Sequence, residues 1–198
     1  EDTLLAAGVE TARLDALVLL CDEVEKDKSW VFTYPEYELQ GSVIEKLNTK
    51  IAQRATHIPL AYLRGHAEFY GRDFIVDENV LVPRPESEDM IDLLKRTVHV
   101  ERRASIWDVG TGSGCLAITA RLELPSLTVY GSDISETALE IAKQNATAHS
   151  ADIVFVQADL LHADVRYTNS DDLYILANLP YVPDDYGINA AAAHEPAL

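Results

Sequence analysis

The sequence predicts an α/β chain: a parallel sheet with right-handed helical crossovers, preceded by a small helical bundle and a β-hairpin connector. Three observations carry this. From residue 105 onwards short apolar runs alternate with segments of helical periodicity, residues 1 to about 60 show helical spacing alone, and between them lie short β-type runs broken by turn residues. The 198 residues suit one ordinary domain with a small second one, and 47% hydrophobic with 25% charged residues is a globular composition that excludes wholesale disorder.

The elements follow in order. In residues 11–25 Thr11 is a candidate N-cap, and Leu14, Leu17, Val18, Cys21 and Val24 recur at helical spacing. A second helix is predicted over about 36–55, with Pro35 near its start and Val43, Ile44, Leu47 and Ile51 on one face. Residues 61–84 read as the hairpin connector, with β-type runs at Glu68 to Tyr70, Phe74 to Val76 and Val80 to Val82. Pro83 and Pro85 stop it. Glu86 to Val98 then shows Met90, Ile91, Leu94 and Val98 at helical spacing, with acidic residues in the first turn. Beyond, Ser105 to Val109, Thr128 to Ser132, Ile153 to Gln157 and Leu173 to Ala177 read as strands, with helices over Cys115 to Leu122 and Glu136 to Ala148.

Composition narrows the function. Sixteen basic against 33 acidic residues leave a net charge of −17, split −8 over residues 1–100 (11 basic, 19 acidic) and −9 over 101–198 (5 basic, 14 acidic). A phosphate backbone would meet this charge unfavourably, so direct nucleic-acid binding is not expected. No window approaches a membrane span, and the N-terminal EDTLLAAGVE lacks the features of a secretory signal, which predicts a soluble, cytoplasmic protein without a membrane partner. Cys21 and Cys115, far apart in sequence, fit reduced thiols. His57, His66, His99, His149, His162 and His194 lack paired ligand spacing, the acidic pairs Asp171-Asp172 and Asp184-Asp185 read as solvated loops, and no metal is expected. The phosphate-loop, HExxH and GxSxG signatures are absent.

The first chemical motif runs from Asp108 through Gly110, Thr111, Gly112, Ser113 and Gly114, where a buried strand turns into a helix. Glycines there let a ligand approach the backbone, and the helix N-terminus offers N–H groups to an anionic group; a plain tight turn is the alternative. Cys115 stands where a nicotinamide fingerprint needs its third glycine. Asp133 ends the next strand about 20 residues on, where a carboxylate can accept both hydroxyls of a ribose, or serve simply as an acid before a helix. Asp159 and Leu160 end the third strand, placed to accept an adenine amino group and to cover its ring. After the fourth strand come Asn178, Leu179, Pro180 and Tyr181, which as an Asn-X-Pro sequence could also be an ordinary turn.

The GxGxG loop preceded by an acid resembles motif I of the S-adenosylmethionine-dependent methyltransferases, whose loop wraps the amino-acid half of the cofactor. Asn178-Leu179-Pro180-Tyr181 resembles the Asn-Pro-Pro-Tyr box of methyltransferases acting on a planar nitrogen. That resemblance implies that the Asn178 carboxamide oxygen and the Leu179 carbonyl accept the two N–H groups of the target, and that Tyr181 stacks on its plane. Leu179 departs from the double-proline form, and Asn-Leu-Pro-Tyr also resembles the box of ribosomal RNA adenine dimethyltransferases. Pro59 to Gly65 with Glu68 to Gly71, and Val82 to Glu88, closely resemble signatures of the HemK/PrmC family, the protein-(glutamine-N5) methyltransferases of peptide chain release factors. Ser87 stands where that family usually has Thr, and Glu195 to Leu198 resembles its Glu-Pro segment.

The resemblance implies a Rossmann-like class I methyltransferase domain over residues 85–198, an N-terminal helical substrate-recognition domain over 1–60, S-adenosylmethionine as cofactor and a release factor as partner. Asn178, Leu179, Pro180 and Tyr181 become the catalytic candidates, with Gly110 to Gly114, Asp133, Asp159, Leu160 and Asn178 against the cofactor. Two other readings stand beside it: an adenine-N6 methyltransferase on RNA or DNA, which the net charge disfavours, and a non-catalytic cofactor-binding module. The implied sheet has seven strands ordered 3-2-1-4-5-7-6, whereas four are countable between Ser105 and Ala177. The expectation is therefore a C-terminally truncated domain of weak or no turnover, with the fourth strand an open edge.

Overall fold

The computed structural model describes residues 1–98, 103–160, 171–179 and 194–196. Contacts divide the described chain into two compact units, one of 1–65 with His194, the other of 66–98, 103–160, 171–179 and 195–196.

The first unit is helical: α1 (Asp2–Ala6), α2 (Ala12–Val24), α3 (Lys28–Thr33), α4 (Gly41–Ala55) and α5 (Leu60–Arg64). Leu4, Val9 and Ala12 form its buried centre, with Ile51 and Ala55 of α4 packed against them. The inner face of α2 differs from the expected one, because Leu14 is exposed while Asp15 is buried beside Leu19. Asp15 can go inside because Arg54 Nε donates to its Oδ2 at 2.7 Å; a buried carboxylate is tolerated only when so paired. The second expected helix begins at Gly41, not near 36. Pro35 disfavours helical backbone at Tyr34, so α3 stops at Thr33 and the chain turns, with the Tyr34 and Tyr37 rings 5.2 and 4.9 Å from Trp30. The Asp27 side chain caps α3 by accepting Trp30 N–H at 2.7 Å.

The second unit opens with the antiparallel hairpin β1 (His66–Phe69) and β2 (Arg72–Ile75). Tyr70 and Gly71 connect them, both at positive φ (53° and 69°), as the two-residue turn favoured by strand twist requires. The expected connector over 61–84 divides differently. Residues 61–64 belong to α5, and Phe69 and Phe74 sit in the main core of the second unit, so the hairpin is part of that unit's packing. Val80 to Val82 is no strand, because Asp77 Oδ1 accepts Asn79 N–H at 2.9 Å and its carbonyl accepts Val80 N–H at 3.2 Å, turning the chain. A 3-10 turn (Pro85–Ser87) leads into α6 (Glu88–Thr97).

The sheet follows: β3 (Ala104–Val109), α7 (Cys115–Glu123), β4 (Thr128–Asp133), α8 (Glu136–Ala148), β5 (Val154–Gln157) and β6 (Asp172–Ala177). Its order is β5-β4-β3-β6, all parallel, so the first strand of the sheet is central and the fourth is added on the other side of it from the second and third. Every residue of β3 is buried, as expected of a strand covered on both faces. Asp172 opens β6 opposite Ala104, so one of the acids expected in a loop lies in the sheet; Asp184-Asp185 falls outside the described residues. On one face Ile106, Val129 and Leu176 pack with Ile91 and Leu94 of α6 and Leu116, Ala117 and Ala120 of α7. On the other, Trp107 stacks on Tyr130 at 5.0 Å and donates from Nε1 to Ser132 Oγ at 2.9 Å. No helix among the described residues is long and apolar enough to cross a membrane.

Candidate functional site

The strand ends converge at the carboxyl edge of the sheet, where the strand order reverses and open α/β sheets place their ligands. After Val109 the chain passes Gly110, Gly112 and Gly114 at φ 68°, 54° and 80° into α7. Side chains rarely adopt this backbone, so the loop shape depends on glycine. Two of the three also permit close packing: a Cβ on Gly110 would stand 2.8 Å from Leu179 Cδ2, and one on Gly114 would stand 3.1 Å from Ile118 Cδ1.

Asp108 braces this loop from beneath. Its Oδ2 accepts Thr111 Oγ1–H at 2.7 Å and the Ala117 backbone N–H at 3.2 Å, capping the first turn of α7. Burial pushes its carboxyl up to about 7, against the two hydrogen bonds that favour the charged form, and Oδ1 has no partner among the described residues. The acid of the motif thus acts on the loop, and it does not line the cavity described below. Burial and the neighbouring Asp108 charge push the Cys115 thiol up to about 12, so it is no nucleophile at neutral pH.

Asp133, at the end of β4, is 5% exposed. It accepts Gly112 N–H through Oδ2 at 2.9 Å and Ser135 N–H through Oδ1 at 3.0 Å, while its own carbonyl accepts Ala158 N–H at 2.9 Å. One residue therefore ties the glycine loop, the start of α8 and the end of β5. Asn145 of α8, fully buried, does the same from behind: its Nδ2 donates to Ser113 O at 2.8 Å and Ile75 O at 2.9 Å, and its Oδ1 accepts Ile75 N–H at 2.7 Å. Sequence reading missed Asn145; its only signal was a polar residue on the apolar face of a helix.

These elements enclose a cavity of about 560 Å³, within the usual range for small-molecule sites. Gly110, Thr111, Gly112, Ser113, Asp133, Asp159, Leu160, Asn178 and Leu179 line it, so the expected site residues from four strand ends meet in one place. Gly114 is the exception, turned into the packing between α7 and α8. Ile134, 62% exposed, lines the cavity beside Leu160 and was not singled out from sequence. Pro180 and Tyr181 lie outside the described residues.

Asn178 follows β6, and its Nδ2 donates to Ser87 Oγ at 3.0 Å. Arg84, three residues before Ser87, also lines the cavity and places Nη2 2.7 and 2.6 Å from the two carboxylate oxygens of Glu195. Burial raises the Glu195 carboxyl above its usual range while Arg84 draws it down. The Val82 to Glu88 and Glu195-Pro196 segments thus share one wall of the cavity, since Pro196 lines it too. Among the described residues no group of His, Cys, Asp and Glu is placed to hold a metal ion. His66 instead lies 2.6 Å from Asp73, and His149 bonds the Asp73 carbonyl at 2.8 Å.

Comparison with known proteins bears on the same residues. The family model described as the PrmC N-terminal domain matches residues 1–65, and one described as a methyltransferase domain matches 106–194. Among curated relatives, the release factor glutamine methyltransferase of Koribacter versatilis is 42% identical over 179 residues, covering 90% of this chain and 63% of that protein. Its namesake from Bacillus anthracis is 33% identical over 174 residues (85% and 60%), and that of Coxiella burnetii 34% identical over 188 residues (94% and 67%). The chain thus spans 60% to 67% of the length of these relatives. A PrmC-type helical N-terminus, a class I methyltransferase sheet in the order expected of it, and relatives of one name on both parts together assign the chain: it belongs to the release factor glutamine methyltransferase family.

Proposed function

We propose that this chain takes part in methylating the side-chain amide nitrogen, N5, of a glutamine in a protein, with S-adenosylmethionine as methyl donor and the Gly-Gly-Gln loop of a peptide chain release factor as substrate. The observation that carries this reading is that Asn178 lines the same cavity as the glycine loop and Asp133. A nitrogen-positioning group and a cofactor-type cradle then face one space. Family membership supports the substrate class.

The residues present fit the cofactor. Two of the roughly four acceptor sites of the Asp133 carboxylate are filled by Gly112 and Ser135, which leaves capacity for ribose hydroxyls. Asp159, Leu160 and Ile134 line the cavity, which supports Asp159 as acceptor for an adenine amino group and the two apolar side chains as cover for the ring. When bound, S-adenosylmethionine supplies an electrophilic methyl group on a sulfonium.

The chain's task is to position the acceptor. An amide nitrogen delocalises its lone pair into the carbonyl and is a poor nucleophile, so orientation and electrostatics must supply the rate. Asn178 Oδ1 and the Leu179 carbonyl are acceptors for its two N–H groups, and methylation makes the nitrogen acidic enough to lose a proton to water. No side-chain base is required. Asp108, although pushed up to about 7, is sealed beneath the loop and cannot serve as one.

The net charge of −17 favours a protein over a nucleic-acid substrate. The helical unit over 1–65 is the candidate for recognising that protein, and a release-factor substrate places the reaction in the cytoplasm. Incubating the protein with tritiated S-adenosylmethionine and a release factor, beside its Gln-to-Ala loop variant, tests this. Label is expected in the former alone. Label in adenine would favour a nucleic-acid methyltransferase, and cofactor binding without any transfer would reduce the chain to a binding module.

A further inference from the structure

Ser87 occupies a helix N-terminus without behaving as a cap. It is the N-cap residue of α6, a position where a serine hydroxyl ordinarily accepts a backbone N–H of the first turn, yet its side chain makes no such bond. Its own N–H is taken by the Arg84 carbonyl at 3.0 Å in the preceding 3-10 turn. Ser87 is 8% exposed, and its hydroxyl meets Asn178 Nδ2 at 3.0 Å, across 91 residues of sequence. Its backbone is helical (φ −73°, ψ −14°), continuing the 3-10 turn into α6, so the hydroxyl is free of the capping role and meets the candidate nitrogen-binding group instead.

The consequence lies in the chemistry of a carboxamide, whose two ends are alike in shape and opposite in hydrogen-bonding sense. Turned one way, Asn178 offers an acceptor to the cavity; turned the other, it offers two N–H groups, which would face the N–H groups of an amide substrate. On the functional reading above, we infer that Ser87 is a positioning residue for methyl transfer: its buried hydroxyl oxygen holds the Nδ2 end of Asn178, so that Oδ1 is the end presented to the substrate nitrogen. Pro85 in the turn and the Arg84 carbonyl on Ser87 N–H hold the hydroxyl in place.

The test compares Ser87→Ala, Ser87→Thr, Asn178→Ala and the Ser87→Ala/Asn178→Ala double variant in the full natural chain. Ser87→Ala is expected to lower kcat for the release factor about 10- to 100-fold, the rate equivalent of leaving one buried polar group unpaired. The loss should fall on kcat more than on cofactor affinity, and the helix itself should persist, because α6 loses no cap. Ser87→Thr, which keeps the hydroxyl, should restore kcat, and Ser87→Ala should cost nothing further once Asn178 is alanine. The second readout needs no turnover: in proton–nitrogen NMR the Asn178 side-chain NH2, identified by its loss in Asn178→Ala, should exchange more slowly in the parent than in Ser87→Ala. An unprotected NH2 in an active parent, a Ser87→Ala variant with parental kcat, or additive losses in the double variant would overturn the positioning role. A protected NH2 in a parent that transfers no methyl to glutamine would instead defeat the functional reading, and the positioning role with it.

Discussion

Asp133 accepts the backbone N–H of Gly112 at 2.9 Å, joining two residues 21 positions apart in the lining of one cavity. The bond links the end of β4 to the turn after β3, so the carboxylate both shapes the glycine loop and faces the space that the loop surrounds. Asp133→Ala is therefore expected to weaken S-adenosylmethionine binding by about 1–3 kcal/mol, the scale of unpaired buried groups. Titration calorimetry checks it, and unchanged affinity would remove Asp133 from the cofactor site.

Asn178 should separate binding from chemistry. Asn178→Ala is expected to cost far less in cofactor affinity than in methyl transfer, which should fall at least about 100-fold, the scale for losing a positioned transition-state partner. Single-turnover kinetics with labelled cofactor measure both, and equal losses in affinity and rate would contradict the assignment.

Asn145, a polar residue on the apolar face of α8, should matter for stability. Asn145→Ala removes three hydrogen bonds at a fully buried site and leaves Ile75 N–H, Ile75 C=O and Ser113 C=O without their partner. We expect a loss of about 2–4 kcal/mol in urea unfolding, with weaker cofactor binding because Ser113 belongs to the loop. A change within about 0.5 kcal/mol would show that the site repacks around the gap.

Asp108 predicts a pH dependence with a definite sign. Its folded-state carboxyl is pushed up to about 7 by burial, above an unfolded value of about 3.9, so the native state holds the proton more tightly. Stability from this group is full below about pH 4 and is lost as pH rises towards 7, with a slope of at most about 1.4 kcal/mol per pH unit. Asp108→Asn cannot titrate. The stability difference between parent and variant should therefore shift against the parent from pH 4 to pH 7 and level off above; parallel curves in urea melts would contradict the burial effect.

Much of the site was legible because its residues announce themselves locally. Glycines after an apolar run, an acid ending the next strand and Asn178 after the fourth strand each occupy a strand end, and a parallel α/β chain brings strand ends to one edge. The order β5-β4-β3-β6 is the one that the resemblance to class I methyltransferases implied for the first four strands. Helix and strand periods likewise carried most elements from β3 to β6, where core-facing positions recur at fixed spacing.

What the tertiary structure decided are the partners. Periodicity reports which face of an element is apolar, not which polar group across the fold will satisfy a buried atom. Asp15 displaced Leu14 from the interior because Arg54 stands opposite, and Val80 to Val82 lost its strand to a side-chain turn at Asp77. Asp108 became a brace for the loop, Asn145 a tie between loop and hairpin, and Ser87 a holder of Asn178 through contacts spanning 9, 70 and 91 residues. Such bonds form only once hydrophobic burial has brought the elements together and excluded water, which makes an unpaired polar group costly and so selects its partner. The sequence by itself determined where the chemistry gathers; the packed fold determined which atoms hold it in place.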